Sequence, residues 1–506
     1  MLLIIKENQR KGTPKLKQFI LIMTDTQRLD MVSCYENSGI STPCLDALAR
    51  EGVKFDKAYT VQPVCGPARS AIFTGQYPCV NGSFANSLAP GANVKTIGQR
   101  LSDKGIATGY IGKWHLDGGD YFGLGVCPDG WDPAYWYDMR NYLDELSEED
   151  RMKSRDSQTM YKEGWPAEKT YAHRCSDRAI DYIRSHKDTD FFLVLSYDEP
   201  HDPSLCPEPF ASMYSDFCLP KRENVWDTLE NKPPHQQAWS GPRRFQDRDD
   251  LLIQMKELFG CNSFVDSEIG RVTDAAKEIL GQDFTLLYTS DHGDMAQSHC
   301  LYAKGPSAYE EIAHIPFILW GQGTGVVDTP VSHIDIAATV WDFFGFEKPM
   351  MLQGESLLPL VRTDTRPARR DVFIEFGRYE IDHDGFGGWQ PMRCIFDGRY
   401  KLVINLLSED ELYDLETDPF EMDNLICAEA VSSIRDNLMR RLLAHMDQIR
   451  DPFRGYWWEQ RPWYTNRTSP SWDYTGYTRQ RSEPDYEAPQ LDYATGLIPD
   501  SLVRRK

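Results

Sequence analysis

Short apolar runs recur along the chain, and each of them ends abruptly in polar residues. Four such runs cover residues 19–23, 108–111, 191–197 and 284–289. Apolar runs of this length without polar alternation are typical of strands buried on both faces, as in a parallel sheet with helices on each side. Because ligands bind beyond the carboxyl ends of such strands, we expect the four polar clusters that follow the runs to meet in one crevice.

Segments with helical patterning lie between these runs. Thr42 followed by a proline predicts a helix start, and an apolar face leads from there to Gly52, where the helix is expected to end. A second helix is predicted over residues 264–280. Residues 315–320 predict a further strand, with a proline near its entrance.

The pattern changes from about Asp371 onwards. Residues 373–376 and 399–404 predict antiparallel strands, and a helix is predicted over residues 431–449. The chain is therefore predicted to have an α/β fold, with a large mixed, mostly parallel sheet sandwiched by helices and a smaller C-terminal α+β domain. We divide it into an N-terminal extension (1–17), a main domain that carries the candidate site (18–370), a C-terminal α+β subdomain (371–450) and an aromatic-rich tail (451–506).

The composition is that of a globular protein, with 506 residues of which 41% are hydrophobic and 26% charged. The formal net charge of −22 argues against nucleic acid or a membrane surface as a partner. Twelve cysteines without a CxxC pair indicate neither a small disulfide scaffold nor a zinc ribbon. The apolar start at residues 2–5 is short for a secretory leader, so a cytoplasmic protein is expected.

The most specific motif is the run CGPAR at residues 65–69, which continues as SAIFTG. Pro67 in a first turn predicts a helix that begins near Cys65 and ends at Gly75. Free N–H groups and the dipole at a helix start favour bound anions and anionic nucleophiles. A buried cysteine before a proline-started helix is the simpler structural alternative.

Two of the strand ends carry residues with metal-ligand chemistry. Asp25 follows the first apolar run, and Asp291 with His292 follows the last. Two carboxylates and an imidazole from separate strand ends can hold one divalent cation beside Cys65. Thr26 or Gln27 can add an oxygen to this set.

The remaining strand ends supply further candidates. Lys113 and His115 lie two residues apart on an extended segment, so both side chains project to the same side. His201 follows the third run, and Lys304 lies in a loop after the fourth. Cations and imidazoles in one crevice can bind ester oxygens and transfer a proton to a leaving alcohol. A solvated lysine or a histidine at the core edge is the alternative for each of them taken alone.

These motifs together resemble the type I sulfatases of the alkaline phosphatase superfamily, over about residues 18–425. The resemblance implies an alkaline phosphatase-like fold, and it implies that Cys65 is oxidised after translation to formylglycine, whose hydrate attacks a sulfate ester. It implies these catalytic positions: Cys65, Arg69, Lys113, His115, His201 and Lys304. It implies these metal positions: Asp25, Thr26, Cys65, Asp291 and His292.

Position 26 departs from the common sulfatase pattern, in which a second Asp follows the first. Thr26 lowers the negative charge of the site, so Ca²⁺ stays the expected metal while Mg²⁺ and Mn²⁺ become more plausible. The Asp-Thr start and the CGPAR run also resemble phosphonate monoester and phosphodiester hydrolases. Three functions therefore compete: a sulfatase, a phosphonate or phosphodiester hydrolase, and a catalytically silent binding protein.

The substrate is expected to be a small sulfate ester, of a mono- or oligosaccharide or of an aryl alcohol. Five side chains are candidates for contacting it: Asn86, His299, Arg378, His383 and Arg393. The resemblance implies a formylglycine-generating or anaerobic sulfatase-maturating enzyme as a partner. The aromatic tail is expected to wrap over the body or over a partner subunit, so a homo-oligomer is considered.

Overall fold

The computed structural model describes residues 15–36, 38–119, 121–156, 164–241, 251–362, 370–381 and 388–467. The predictions made for residues 1–14, for His383 and for the tail beyond residue 467 therefore lie outside the described residues. No helix of the described ranges is long and apolar enough to cross a membrane.

The strands of the described chain form three sheets. Their bounds are β1 (Gln18–Thr24), β2 (Val53–Phe55), β3 (Ala58–Tyr59), β4 (Ala107–Gly112), β5 (Phe191–Ser196), β6 (Thr285–Ser290), β7 (Phe317–Trp320), β8 (Gly325–Val327), β9 (Val331–Ser332), β10 (Val372–Phe376), β11 (Met392–Phe396), β12 (Tyr400–Asn405) and β13 (Glu411–Asp414).

Helices cover much of the rest. The α-helices span Pro43–Glu51, Cys65–Thr74, Pro78–Asn81, Ile97–Ser102, Met139–Asp144, Glu148–Lys153, Tyr171–Ser185, Phe210–Met213, Pro234–Ser240, Lys256–Leu280, Glu310–Ala313, Ile334–Phe343, Leu358–Arg362 and Ser432–Gln448. Short 3-10 helices span Leu29–Met31, Ala167–Lys169, Glu223–Trp226, Ser298–Cys300, Glu429–Val431 and Tyr456–Glu459.

The large sheet has seven strands in the order β4-β5-β1-β6-β7-β2-β8. Strand β7 runs against its neighbours β6 and β2, and the other pairs are parallel. Side chains of β1 alternate between two apolar cores, with Ile20 and Ile22 on one face and Phe19 and Leu21 on the other. The predicted mixed, mostly parallel sheet is therefore confirmed, and burial on both faces explains its unbroken apolar runs.

The long helix Lys256–Leu280 begins eight residues before its predicted start at Phe264. Its first turns contain Gly260 and the polar residues Asn262 and Ser263, which weaken the helical pattern in the sequence. A Cβ at Gly260 would lie only 2.2 Å from the carbonyl oxygen of Phe210, so the glycine permits a close approach of two helices. Packing against the rest of the chain, rather than intrinsic preference, extends this helix.

The C-terminal sheet is antiparallel, with the order β10-β11-β12-β13. One face packs on the helix Ser432–Gln448, and Trp458 from the start of the tail joins the same apolar cluster. The other face packs against Tyr59 and Val64 of the main domain. The predicted smaller α+β unit is thus confirmed, and it lies beside the segment that leads into Cys65.

Candidate active site

Four neighbouring parallel strands deliver the candidate site at their carboxyl ends. Asp25 follows β1, Lys113 follows β4, Asp198 lies two residues after β5, and Asp291 follows β6. These strands are adjacent in the sheet, so their ends open into the same crevice, as expected from the sequence.

Cys65 is the first residue of the helix Cys65–Thr74, which ends at Gly75 in a left-handed conformation with φ 66°. The Cys65 side chain is buried, and its Sγ lies 3.2 Å from Nε2 of His292 and 3.6 Å from Oδ1 of Asp25. Burial raises the pKa of the thiol, but Lys304 and other cationic neighbours reverse this and hold it well below its usual value. Position 65 is therefore an anion-favouring position at a helix start.

Arg69 lies one turn after Cys65 and is completely buried. Its Nε donates to Oδ2 of Asp291 and its Nη2 to Oδ2 of Asp25, each at 3.0 Å. Its Nη1 donates to the carbonyl oxygen of Lys113 at 2.8 Å and to Oγ of Ser196 at 2.7 Å. The planar fork thus fixes the carboxylates of Asp25 and Asp291 relative to each other.

Four donor atoms form a cluster that suits a metal ion. One side-chain donor from each of Asp25, Cys65, Asp291 and His292 lies within 4.8 Å of the other three. Nδ1 of His292 donates to the carbonyl oxygen of Gly293 at 2.8 Å, which leaves Nε2 free to coordinate. Two carboxylates, one imidazole and an atom at position 65 fit a divalent cation.

Thr26 orients these carboxylates. Its backbone N–H donates to Oδ1 of Asp291 at 3.1 Å, and its hydroxyl donates to Oδ1 of Asp25 at 2.7 Å. Nζ of Lys304 lies 3.4 Å from the same hydroxyl oxygen. Thr26 has a left-handed φ of 64°, which brings its backbone and side chain to the two carboxylates at once.

Lys113 places a buried ammonium beside the metal cluster. Its Nζ lies 2.8 Å from Oδ2 of Asp25 and 3.0 Å from Oδ1 of Asp198. Burial lowers the pKa of Lys113, but the carboxylates of Asp198 and Asp25 raise it well above its usual value. Burial lowers the pKa of the neighbouring His115, so its imidazole is neutral.

Lys304 and His201 form a hydrogen-bonded pair in the site. Nζ of Lys304 lies 2.9 Å from Nε2 of His201, and Nδ1 of His201 lies 2.8 Å from the carbonyl oxygen of Asp202. An ammonium group has only donors, so Nε2 of His201 accepts and Nδ1 carries the hydrogen. The pair holds a proton on the Lys304 amine within reach of an imidazole.

Two of the predicted substrate-contact residues lie next to this site. Oδ1 of Asn86 accepts from the backbone N–H of Gly66 at 2.9 Å, directly after Cys65. Arg378 precedes Tyr379, whose carbonyl oxygen accepts from the backbone N–H of Asn86 at 3.1 Å. This part of the C-terminal domain therefore borders the crevice.

The structure does not bring His299 and Arg393 into the cluster around position 65. Nδ1 of His299 lies 2.6 Å from Oδ2 of Asp227, and its ring stacks on Tyr309 with 3.8 Å between centroids. Nε of Arg393 lies 2.7 Å from Oδ2 of Asp451 inside the C-terminal domain. We correct both predictions because these side chains are buried and bonded within the protein instead of facing a substrate.

Sequence reasoning missed Asp198 and Tyr121. Asp198 is the first acidic residue after β5, and its place at a strand end was a usable signal. Tyr121 lies in a loop without periodicity, and its ring centroid is 4.0 Å from Nζ of Lys113. Its hydroxyl donates to Oδ1 of Asp198.

Family models match most of the chain. A model described as Sulfatase matches residues 17–346. A second model, described as the C-terminal region of N-sulphoglucosamine sulphohydrolase, matches residues 298–448. Together they span the large sheet, the candidate site and the C-terminal sheet.

Individual relatives agree with this match. The chain is 43% identical to the uncharacterized sulfatase YidJ of Escherichia coli K12, covering 96% of this chain and 97% of the relative. It is 25% identical to an N-acetylglucosamine-6-O-sulfatase of Bacteroides thetaiotaomicron, covering 88% of each chain. Its fold matches the crystal structure of a phosphonate monoester hydrolase of Agrobacterium radiobacter with a TM-score of 0.72, 22% identity and coverage of 86% and 96% of the two chains.

Proposed function

Because the chain belongs to the sulfatase family of the alkaline phosphatase superfamily, we propose that it hydrolyses sulfuric esters with a formylglycine formed from Cys65. The observation that carries this proposal is the position of Cys65 Sγ, 3.2 Å from Nε2 of His292 and 3.6 Å from Oδ1 of Asp25. The reacting atom of residue 65 thus belongs to the same donor cluster as the acidic ligands.

Formylglycine supplies, as its hydrate, an oxygen nucleophile and a second hydroxyl through which the bound sulfate is later released. A cysteine side chain has no such second hydroxyl. The proposal therefore includes a maturating enzyme as a partner, which oxidises the Cys65 thiol before activity appears. Cys65 is buried in the folded protein, so modification before folding is complete fits its position.

The proposed metal is Ca²⁺, held by Asp25, Asp291, His292 and the side-chain oxygen of residue 65. The ion supplies Lewis-acid stabilisation of negative charge on oxygen. Arg69 and Thr26 support the site by orienting both carboxylates.

The charges around position 65 suit a singly charged anion. The described site contains three cationic and three acidic side chains, namely Arg69, Lys113, Lys304, Asp25, Asp198 and Asp291. The formal charges of these six side chains cancel, so a divalent ion leaves a net positive site. A sulfate ester, with one negative charge, is attracted to such a site in a water-poor cleft.

Proton transfer is assigned to the histidines and Lys304. The Lys304–His201 pair supplies a proton to the departing alcohol oxygen, because Nζ of Lys304 already donates to Nε2 of His201 at 2.9 Å. His115 is buried and neutral, and it accepts a proton when the sulfate is released. The two roles fall on separate imidazoles.

We further propose a sulfated mono- or oligosaccharide as the substrate class. Support comes from the named N-acetylglucosamine-6-O-sulfatase relative and from the match to an N-sulphoglucosamine sulphohydrolase C-terminal model. A net charge of −22 disfavours a long sulfated polymer held over a broad surface. A panel of sulfated sugars that differ in sulfate position tests this class, and activity on aryl sulfates alone argues against it.

A phosphonate or phosphodiester hydrolase is the second candidate, since Thr26 replaces a common acidic residue and the fold matches a phosphonate monoester hydrolase. Parallel kinetics on 4-nitrophenyl sulfate, 4-nitrophenyl phenylphosphonate and bis(4-nitrophenyl) phosphate decide between them, with Cys65→Ala as the inactive control. A higher kcat/KM for the sulfate supports the proposal. A higher kcat/KM for either phosphorus ester contradicts it. A protein that contains formylglycine and metal but turns over none of the three esters is a silent binding protein.

A further inference from the structure

Tyr121 contacts both Lys113 and His201. Its ring centroid is 4.0 Å from Nζ of Lys113 and 5.2 Å from the ring centroid of His201. Its hydroxyl donates to Oδ1 of Asp198 and lies 3.2 Å from Nδ1 of His201. One side chain therefore contacts both the group that binds Lys113 and the imidazole paired with Lys304.

The direction of these hydrogen bonds follows from the chemistry of each group. Despite burial, the ammonium of Lys113 holds the pKa of Asp198 below its usual value, so this carboxylate is ionised and accepts. The phenol of Tyr121 spends its single hydrogen on Asp198, which leaves its oxygen lone pairs for an N–H donor. Nδ1 of His201 is that donor, because Nε2 accepts from Lys304.

We propose that Tyr121 is a positioning residue for His201 in leaving-group protonation. The phenol oxygen gives the Nδ1–H group a second acceptor beside the carbonyl oxygen of Asp202, 2.8 Å away. Two acceptors on one edge fix the ring, so that Nε2 faces Lys304. The inference rests on the proposed function, because it needs an ester whose alcohol is protonated as it leaves.

Two substitutions separate the role of Tyr121 in positioning His201 from a purely structural role. Tyr121→Phe keeps the aromatic ring over Lys113 and removes only the hydroxyl. Lys113→Met removes the ammonium and leaves the Tyr121 phenol bonded to Asp198. The first change should act on the departing alcohol, whereas the second should act on binding of the sulfate group whatever the alcohol.

Tyr182→Phe is the matched control. Tyr182 is buried, and in the described part of the chain its hydroxyl has no hydrogen-bond partner. Its ring packs against Tyr135 and His186, which are not part of the candidate site.

The test is kcat/KM on aryl sulfates of decreasing leaving ability, from 4-nitrophenyl sulfate to phenyl sulfate, with the formylglycine content of each variant measured. Tyr121→Phe is expected to lose about tenfold or more on phenyl sulfate, and less than about threefold on 4-nitrophenyl sulfate, which needs little acid assistance. Lys113→Met is expected to lose equally on both esters, and Tyr182→Phe on neither. Equal losses on both esters in Tyr121→Phe, or no loss, overturn the inference.

A second measurement is independent of turnover. In ¹⁵N-labelled histidine spectra, the His201 signals are assigned from their loss in His201→Gln. They should show Nδ1 protonated in the chain without substitutions and a changed Nδ1 signal in Tyr121→Phe. An unchanged His201 signal overturns the inference even if turnover is not observed. A protein with confirmed formylglycine that hydrolyses no sulfate ester contradicts the proposed function instead, and the His201 signals still decide the role of Tyr121.

Discussion

Lys113 and Asp25 form a fully buried ion pair, with 2.8 Å between Nζ and Oδ2. Burying an ion pair is costly, and removing one partner leaves an uncompensated charge in the interior. The pair sits beside Cys65, where we expect the charged ammonium to bind an anionic substrate or nucleophile. Its place at the carboxyl ends of two separate strands indicates a functional role.

Lys113→Met is expected to lower kcat/KM for a sulfate ester by about 10²–10³-fold, because a preorganised cation is lost from a water-poor site. Steady-state kinetics at matched formylglycine content measure this loss. Lys95→Met is the control, since Lys95 pairs with the exposed Asp103 at the surface. A loss below about threefold would show that Lys113 does not act on the substrate.

Arg69→Lys is expected to weaken metal binding by about 10–100-fold, because a lysine does not hold both Asp25 and Asp291 in one planar fork. Calorimetric titration of metal-free protein with Ca²⁺ measures the affinity. Arg362→Lys, which changes a surface arginine bonded to Gln322, serves as the comparison. Equal Ca²⁺ affinities in Arg69→Lys and in the protein without this substitution would refute the positioning role of Arg69.

Removal of the metal is expected to abolish most activity and to lower the melting temperature. The donor cluster of Asp25, Asp291 and His292 then lacks its ion, and the stabilisation that comes from ion binding is lost. Chelation followed by dialysis, metal analysis and readdition of Ca²⁺, Mg²⁺ or Mn²⁺ measures both effects. Full activity of a protein shown to be metal-free is incompatible with the proposed site.

Glu199→Gln is expected to remove a loss of stability that develops as the pH rises towards about 8. Burial, aided by Asp198, raises the pKa of Glu199 to about 8, so this carboxyl is protonated in the folded protein at neutral pH. Unfolding releases that proton once the pH exceeds the ordinary value of about 4.3. The stabilisation that Glu199 contributes is therefore complete below about pH 4.3. Above that pH it falls by up to about 1.4 kcal/mol per pH unit, and the fall levels off near pH 8.

The urea midpoint at pH 5, 7 and 8.5 measures this effect. The advantage of Glu199→Gln over the unmodified chain should grow with pH, since the amide keeps the acceptor for the backbone N–H of Ala172. Glu230→Gln, at an exposed position, is the control. Parallel pH curves for Glu199→Gln and the unmodified chain would disprove a protonated Glu199.

The fold and the centre of the site were predictable from the sequence, and the borders of the site were not. Asp25, Lys113 and Asp291 could be placed together because each ends an apolar run, and adjacent parallel strands bring their ends to one edge. The placement of these three residues needs only local pattern and sheet geometry, whereas Arg69 was implied by the family resemblance that the CGPAR run carries.

Residues outside the strand ends required the tertiary structure. Tyr121 lies in a loop whose course no periodicity determines, so its contact with Lys113 was not foreseeable. His299 and Arg393 were wrong as substrate contacts because their buried acidic partners, Asp227 and Asp451, lie far away in the sequence. Charged residues in irregular segments pair with whatever the fold brings near them.

The identity of residue 65 in the active protein tests the central claim most directly. Mass spectrometry of the peptide that contains Cys65, on protein made in a host with a maturating enzyme, measures the fraction of aldehyde, and the same preparations are assayed on a sulfate ester. We predict an aldehyde at position 65 and activity proportional to its fraction. A fully active preparation in which residue 65 is uniformly an unmodified thiol would contradict the account.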